Sequence, residues 1–252
     1  MFRPILLVLS FFITFALTAC EDRRSAPLTE AQIAERKEAR AQRRAANEAR
    51  RITQGEEIVA SCRATQCTTL DLDWKNLSDF TVLNDMRHVK VLMISGTEIS
   101  DFSDIAGMSG LEELHMRSTN VTSLTGISKF QNLRVLHLSE IASADRSKVA
   151  SLRGLTELAF VNKDQSLSFL SKLTTLVDLN MNTSGETDIS PLGKLDMIER
   201  LVIRGWGIKD FAPLLQMDQL KAVTIDDIAP EVSKQLSEND VDVSIIPVLV
   251  VC

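Results

Sequence analysis

The chain contains no tyrosine and only two tryptophans, and aromatic residues make up 5% of its 252 residues. Any core must therefore be aliphatic. Leucine supplies the material, with 32 residues. Six prolines and ten glycines are too few for a collagen-like or proline-rich fibre. The net charge of −6 lacks the basic excess of a general nucleic-acid binder, and no nucleic-acid partner is expected. At 44% apolar and 25% charged residues, the bulk reads as globular and not disordered. Catalytic signatures are also missing. There is no nucleophile elbow, no paired-histidine zinc helix, no phosphate loop and no glycine-rich dinucleotide turn. An enzyme and a bound cofactor are not expected. Asp71-Leu72-Asp73 hints at a calcium loop, but Lys75 breaks the pattern and no glycine follows.

Near the start, Ile5 to Leu17 is apolar except for Ser10 and Thr14, and Arg3 precedes it. This run is shorter than the ~20 residues of a membrane-spanning helix and has the layout of a signal peptide. It ends Leu17-Thr18-Ala19-Cys20. That ending resembles the lipobox of bacterial lipoproteins. The resemblance implies that residues 1–19 are a removed signal and that Cys20 is acylated and becomes the mature N-terminus. The chain is then held to a membrane of the bacterial cell envelope, facing the periplasm or exterior. The alternative is an ordinary secretory signal with a chance cysteine.

Residues 20–55 read as a basic helical tether. Residues 23–55 carry nine Lys/Arg against four Asp/Glu, whereas residues 56–252 carry a net charge of −10. From Leu28 to Gln54 there is neither Gly nor Pro, and helix formers dominate. Thr29 and Gln32 fit a capping box, Leu28 and Ile33 a hydrophobic staple, and Gly55 a stop. The apolar stripe is too thin to pack a core. Two readings are open: a solvated linker, or a spacer that meets an anionic surface.

Residues 56–252 are expected to form one repeat domain with terminal caps. A pattern of apolar residue, two others, apolar, one other, apolar begins at Cys67, Val89, Leu111, Leu133, Leu155, Leu176, Ile198 and Leu220. All intervals are 22 residues except one of 21. The alternation within each unit marks a short strand. Twelve residues after each start stands a capping residue: Asp79, Asp101, Ser123, Asp145, Asp188 and Asp210, with Ser166 one residue early in the short unit. An apolar residue usually follows, Arg146 being the exception, and Pro191 and Pro213 fall early in the turns. Residues 56–66 read as a lid on the first unit, and a ninth strand is expected around Val241 to Ile245.

These units resemble the leucine-rich repeat, and the turn Ile99 to Phe102 resembles the internalin-type subclass. The resemblance implies an α/β solenoid with a parallel sheet on its concave face, preceded by a lone polar helix. At the ninth position Thr97 and Thr119 fit that subclass, whereas Lys75, Ile141, Lys163, Trp206 and Ile228 depart from it.

Of four cysteines, Cys62 and Cys67 bracket a short gap at the first repeat, and in an exported protein they are expected to pair. Cys252, the last residue, is left free or pairs with another chain. It follows an apolar stretch, Ile245 to Val251, that either packs on the last repeat or leaves a sticky edge.

Ligand contacts in such solenoids are expected from the outward neighbours of the inward leucines. Two groups stand out. His115 and His137 lie one repeat apart, flanked by Glu113, Arg117 and Glu157. Imidazoles and carboxylates suit a metal, but an exposed polar ladder is the plainer reading, and no metal is expected. Arg200, Arg204 and Trp206 face Asn180 and Asn182. Arginine with tryptophan is the chemistry of protein-contact hot spots and of carboxylate recognition. Salt bridging to Asp178 and Asp226 is the alternative. The expected function is a membrane-anchored binding module that recognises a protein or envelope component through its concave face. The alternative function is a structural lipoprotein or spacer working through the basic stalk.

Overall fold

The computed structural model describes residues 28–140, 143–163, 166–226 and 228–246. The signal segment, Cys20, Ile141, the stretch after Ile246 and Cys252 lie outside them. The chain divides into two compact units, Met1–Arg44 and Ala45–Cys252.

A single helix, α1, runs from Glu30 to Thr65. Its start is set by the capping box. The Thr29 amide donates to Gln32 Oε1 at 3.0 Å, and the Gln32 amide donates to Thr29 Oγ1 at 3.3 Å. In the first unit every described residue is exposed, as expected of a helix with so little apolar surface.

Gly55 is not the helix stop that the sequence suggests. It lies within α1 and is buried, together with Val59 and Cys62. A β-carbon at Gly55 would fall 2.1 Å from the Asn76 carbonyl oxygen. The missing side chain lets the helix backbone rest on the first coil, and tertiary packing outweighs the local stop signal. Arg51 fastens the contact. It donates to the carbonyls of Trp74 at 3.0 Å, Lys75 at 3.1 Å and Gly96 at 2.5 Å, and to Glu48 at 2.8 Å. Glu48 also accepts from Asn76 Nδ2. The lid expected over residues 56–66 is therefore the end of a longer helix, and residues 45–55 take part in the cap. A disulfide joins Cys62 and Cys67, with 4.9 Å between their Cα atoms.

Among the described residues nine strands follow in the second unit: β1 (Thr69–Asp71), β2 (Val91–Met93), β3 (Glu113–Met116), β4 (Val135–Glu140), β5 (Glu157–Asn162), β6 (Asp178–Thr183), β7 (Arg200–Gly205), β8 (Ala222–Ile225) and β9 (Asp242–Ile245). They form one parallel sheet in chain order. The leucines stay in register: Leu70 faces Leu92, then Leu114, Leu136, Leu158, Leu179 and Leu201. The 21-residue interval still leaves Leu158 opposite Leu179, so the missing residue is absorbed outside the strands. Inward leucines, isoleucines and methionines join the apolar residues of the return turns in one continuous core. No coil closes alone, because each buries its apolar edge against its neighbours.

The return segments are short helical turns started by the expected caps. Asp79, Asp101, Asp188 and Asp210 accept the amides of Thr81, Ser103, Ser190 and Ala212 at 2.8 to 2.9 Å. Asp145 differs. Its side chain makes no cap bond and is buried, taking the Leu124 amide of the preceding coil at 2.9 Å and the Lys148 ammonium at 2.6 Å. Arg146, where an apolar residue usually follows the cap, lies over the Phe169 ring and donates to Asn162 Oδ1. Helix α2 (Arg146–Val149) replaces a simple turn here, and α3 (Pro230–Glu238) leads into β9.

Candidate functional site

Alternation along the strands fixes which side chains leave the sheet. In β7, Leu201 and Ile203 are buried, while Arg200 and Arg204 are exposed. Parallel in-register pairing then lines up the outward residues in rows. One row holds Glu113, Val135, Glu157, Asp178 and Arg200, and the next holds His115, His137, Ala159 and Asn180.

The two histidines meet as expected. Their Nδ1 atoms are 2.9 Å apart and their rings stand edge to face at 4.4 Å. His137 Nε2 lies 2.7 Å from Glu157 Oε1, and His115 Nε2 lies 3.7 Å from Glu113 Oε2. The proton positions follow from this chain. A carboxylate only accepts, so neutral His137 carries its proton on Nε2 and offers Nδ1 as an acceptor. His115 must then donate from Nδ1, leaving a bare lone pair on its Nε2 beside Glu113. Burial holds His137 below its ordinary titration range, with the charges of His115 and Arg117 adding to the effect, while Glu157 pulls the other way. A proton added at His137 Nδ1 turns both facing nitrogens into donors and breaks their bond. Among the described residues no cluster of three or more metal-ligating side chains is placed to hold an ion.

The second group is only partly assembled. Arg200 is bound by both oxygens of Asp178, with its Nε 2.5 Å from Oδ1, and Asp178 raises its already high pKa further. Arg204 stands opposite Asn182 across the strand pair. Trp206, just past β7, is 70% exposed, among the largest exposures of any apolar side chain described. Among the described residues no hydrogen bond or ion pair links Arg204 or Trp206 to the Arg200–Asp178 pair. Asp226 is used differently from the expected salt bridge and accepts the Gly205 amide at 2.6 Å.

Trp74 was not singled out by the repeat pattern. It is 66% exposed, takes a left-handed backbone (φ 59°), and its ring covers Gly96, where a β-carbon would fall 2.4 Å from Cε3. The available signal was its rarity, as one of two tryptophans in an aromatic-poor chain. Among the described residues no helix is long and apolar enough to cross a membrane.

No protein-family model and no curated protein sequence matches the chain. Solved structures do. Internalin C2 of Listeria monocytogenes is 26% identical, with a TM-score of 0.52 over 61% of this chain and 68% of that one. An internalin of the same organism, internalin F, is 20% identical, with a TM-score of 0.52 over 71% of this chain and 61% of that one. A leucine-rich-repeat protein of Leptospira interrogans reaches a TM-score of 0.50 at 14% identity, over 67% of this chain and 45% of that one. The 22-residue period, the in-register sheet and these likenesses together make the chain a leucine-rich-repeat solenoid of α/β architecture, preceded by a helix.

Proposed function

We propose that this protein is a lipid-anchored binding module of the bacterial cell envelope, recognising a protein or envelope component through the outward face of its sheet. Cys20 is the acylation site, residues 1–19 are the signal, and the repeat domain faces the periplasm or exterior. The observation that carries the reading is the ordered polar array on that face. His115, His137 and Glu157 are joined in one hydrogen-bonded chain with Glu113 beside it, and the Asp178–Arg200 pair stands in the adjoining strands. Rigid strands hold these groups in fixed register, which lowers the ordering cost of binding. Arg117, Arg204 and Trp206 extend the contact surface, with the exposed indole as its anchor.

The test places photo-crosslinkers at Val202 on the sheet face and at Lys172 on a return turn, in intact cells. A discrete adduct from Val202 that is absent from Lys172, and that disappears when Arg204→Glu and Trp206→Ala are introduced, supports the reading. Equal adducts from both positions, or an adduct indifferent to the substitutions, overturns the site. Cys20→Ser is expected to release the protein from membranes, and continued membrane fractionation rejects the anchor.

A further inference from the structure

The helical segment of the first unit carries its positive charge on one side only. At about 3.6 residues per turn, Arg36, Lys37, Arg40, Arg43 and Arg44 fall within an arc of roughly 120° on α1. The exposed Ile33 lies inside that arc. Glu30, Glu35 and Glu38 all lie outside it, and Glu38 bonds Gln42 on the opposite side. A merely solvated helix is normally laced with acid–base pairs three or four residues apart. Within residues 28–44 no acid stands at that spacing from any of the five cations. Instead Arg36, Arg40 and Arg44 stand in a like-charged row at successive fourth positions, which works against the helix. Among the described residues none of the five cations makes an ion pair, and Glu48 beyond them is engaged by Arg51 and Asn76.

We propose that this cationic stripe lies along an anionic lipid surface, with the phosphates of the headgroups as its counter-charges and Ile33 at the edge of the acyl layer. The proposal takes from the preceding reading only that the chain lies at a membrane. A bilayer suits the stripe because the cations line one straight flank of a helix, and because the segment carries too little apolar surface to insert. Each cation near an anionic surface adds roughly fivefold to partitioning, so the five together add on the order of a thousandfold in low salt.

The test reconstitutes the full chain with vesicles of phosphatidylcholine, or with vesicles carrying about 30% phosphatidylglycerol. Cleavage after Glu30, Glu35 and Glu38 by a glutamate-specific protease is followed by mass spectrometry. The expected result is cleavage roughly tenfold slower on the anionic vesicles, with the protection lost in about 0.5 M salt. It is also lost in the variant combining Arg36→Gln, Arg40→Gln, Arg43→Gln and Arg44→Gln, whose intact solenoid is checked by circular dichroism. Equal cleavage on both vesicles overturns the proposal. So does protection on both, or protection by a soluble polyanion without vesicles. A chain that fails to sediment with neutral vesicles but is protected on anionic ones refutes the lipid anchor and upholds the stripe.

Discussion

Replacing Gly55 by alanine sets two effects of opposite sign against each other. In an isolated helix the change stabilises by about 1 kcal/mol, because glycine has the greater backbone freedom to lose. In the folded chain the new β-carbon falls 2.1 Å from the Asn76 oxygen, 3.1 Å from its carbonyl carbon and 3.2 Å from Leu77 Cδ2. The first two atoms are backbone of the first coil, so no side-chain rotation relieves the clash. The helix must move away by on the order of 1 Å, and a close-packed interior resists such movement. Arg51 sits one turn away and holds three carbonyls of the first two coils. A bond to a charged donor is worth about 1.5–3 kcal/mol, so losing two costs about 3 kcal/mol or more. Net of the helix gain, Gly55→Ala should destabilise by about 2 kcal/mol or more. Urea unfolding followed by circular dichroism measures the total. Hydrogen exchange over residues 45–65 shows whether the loss is centred on the cap. A variant as stable as the parent, or more stable, refutes the account of how this helix docks.

Two further outcomes follow from the sheet face and the turns. His137 is held below its ordinary range near 6.5, so the unfolded chain takes up its proton first as pH falls. Stability is therefore full above about pH 6.5 and declines below it, and His137→Gln should flatten that decline when urea midpoints at about pH 7.5 and about pH 5 are compared. Asp145→Ala leaves the Leu124 amide buried without its acceptor and should cost about 1–3 kcal/mol by the same assay, whereas Asp210→Ala, at an exposed cap, should cost about 1 kcal/mol.

The repeat phase was legible because period and chemistry coincide. A branched or unbranched aliphatic residue at three fixed places in each unit determines which side chains face inward, and hence which face outward. The ninth strand was readable for the same reason. The meeting of His115 and His137 followed from register alone. Other features depend on contacts distant in sequence. Gly55 resembles a helix stop until Asn76 is known to lie against it. Asp145 has the composition of a cap, but burial beside Leu124 and Lys148 gives it another task. Arg200 looked available for a ligand carboxylate, yet Asp178 on the neighbouring strand already supplies one. Trp74 is invisible to a period-based reading because it falls between the repeating positions.

The two ends of the solenoid are fastened unequally. At the first coil a disulfide, the buried Gly55, Val59 and Cys62 of α1, and Arg51 tie the cap to two coils at once. Among the described residues β9, farthest from that cap, is mostly exposed and packs on β8 and α3. In a stack stabilised by nearest neighbours, opening starts where the terminal bond is weakest. Unravelling of the described coils therefore has a direction, from β9 toward the first coil. Under a pulling force β9 opens before the coils that Arg51 clamps.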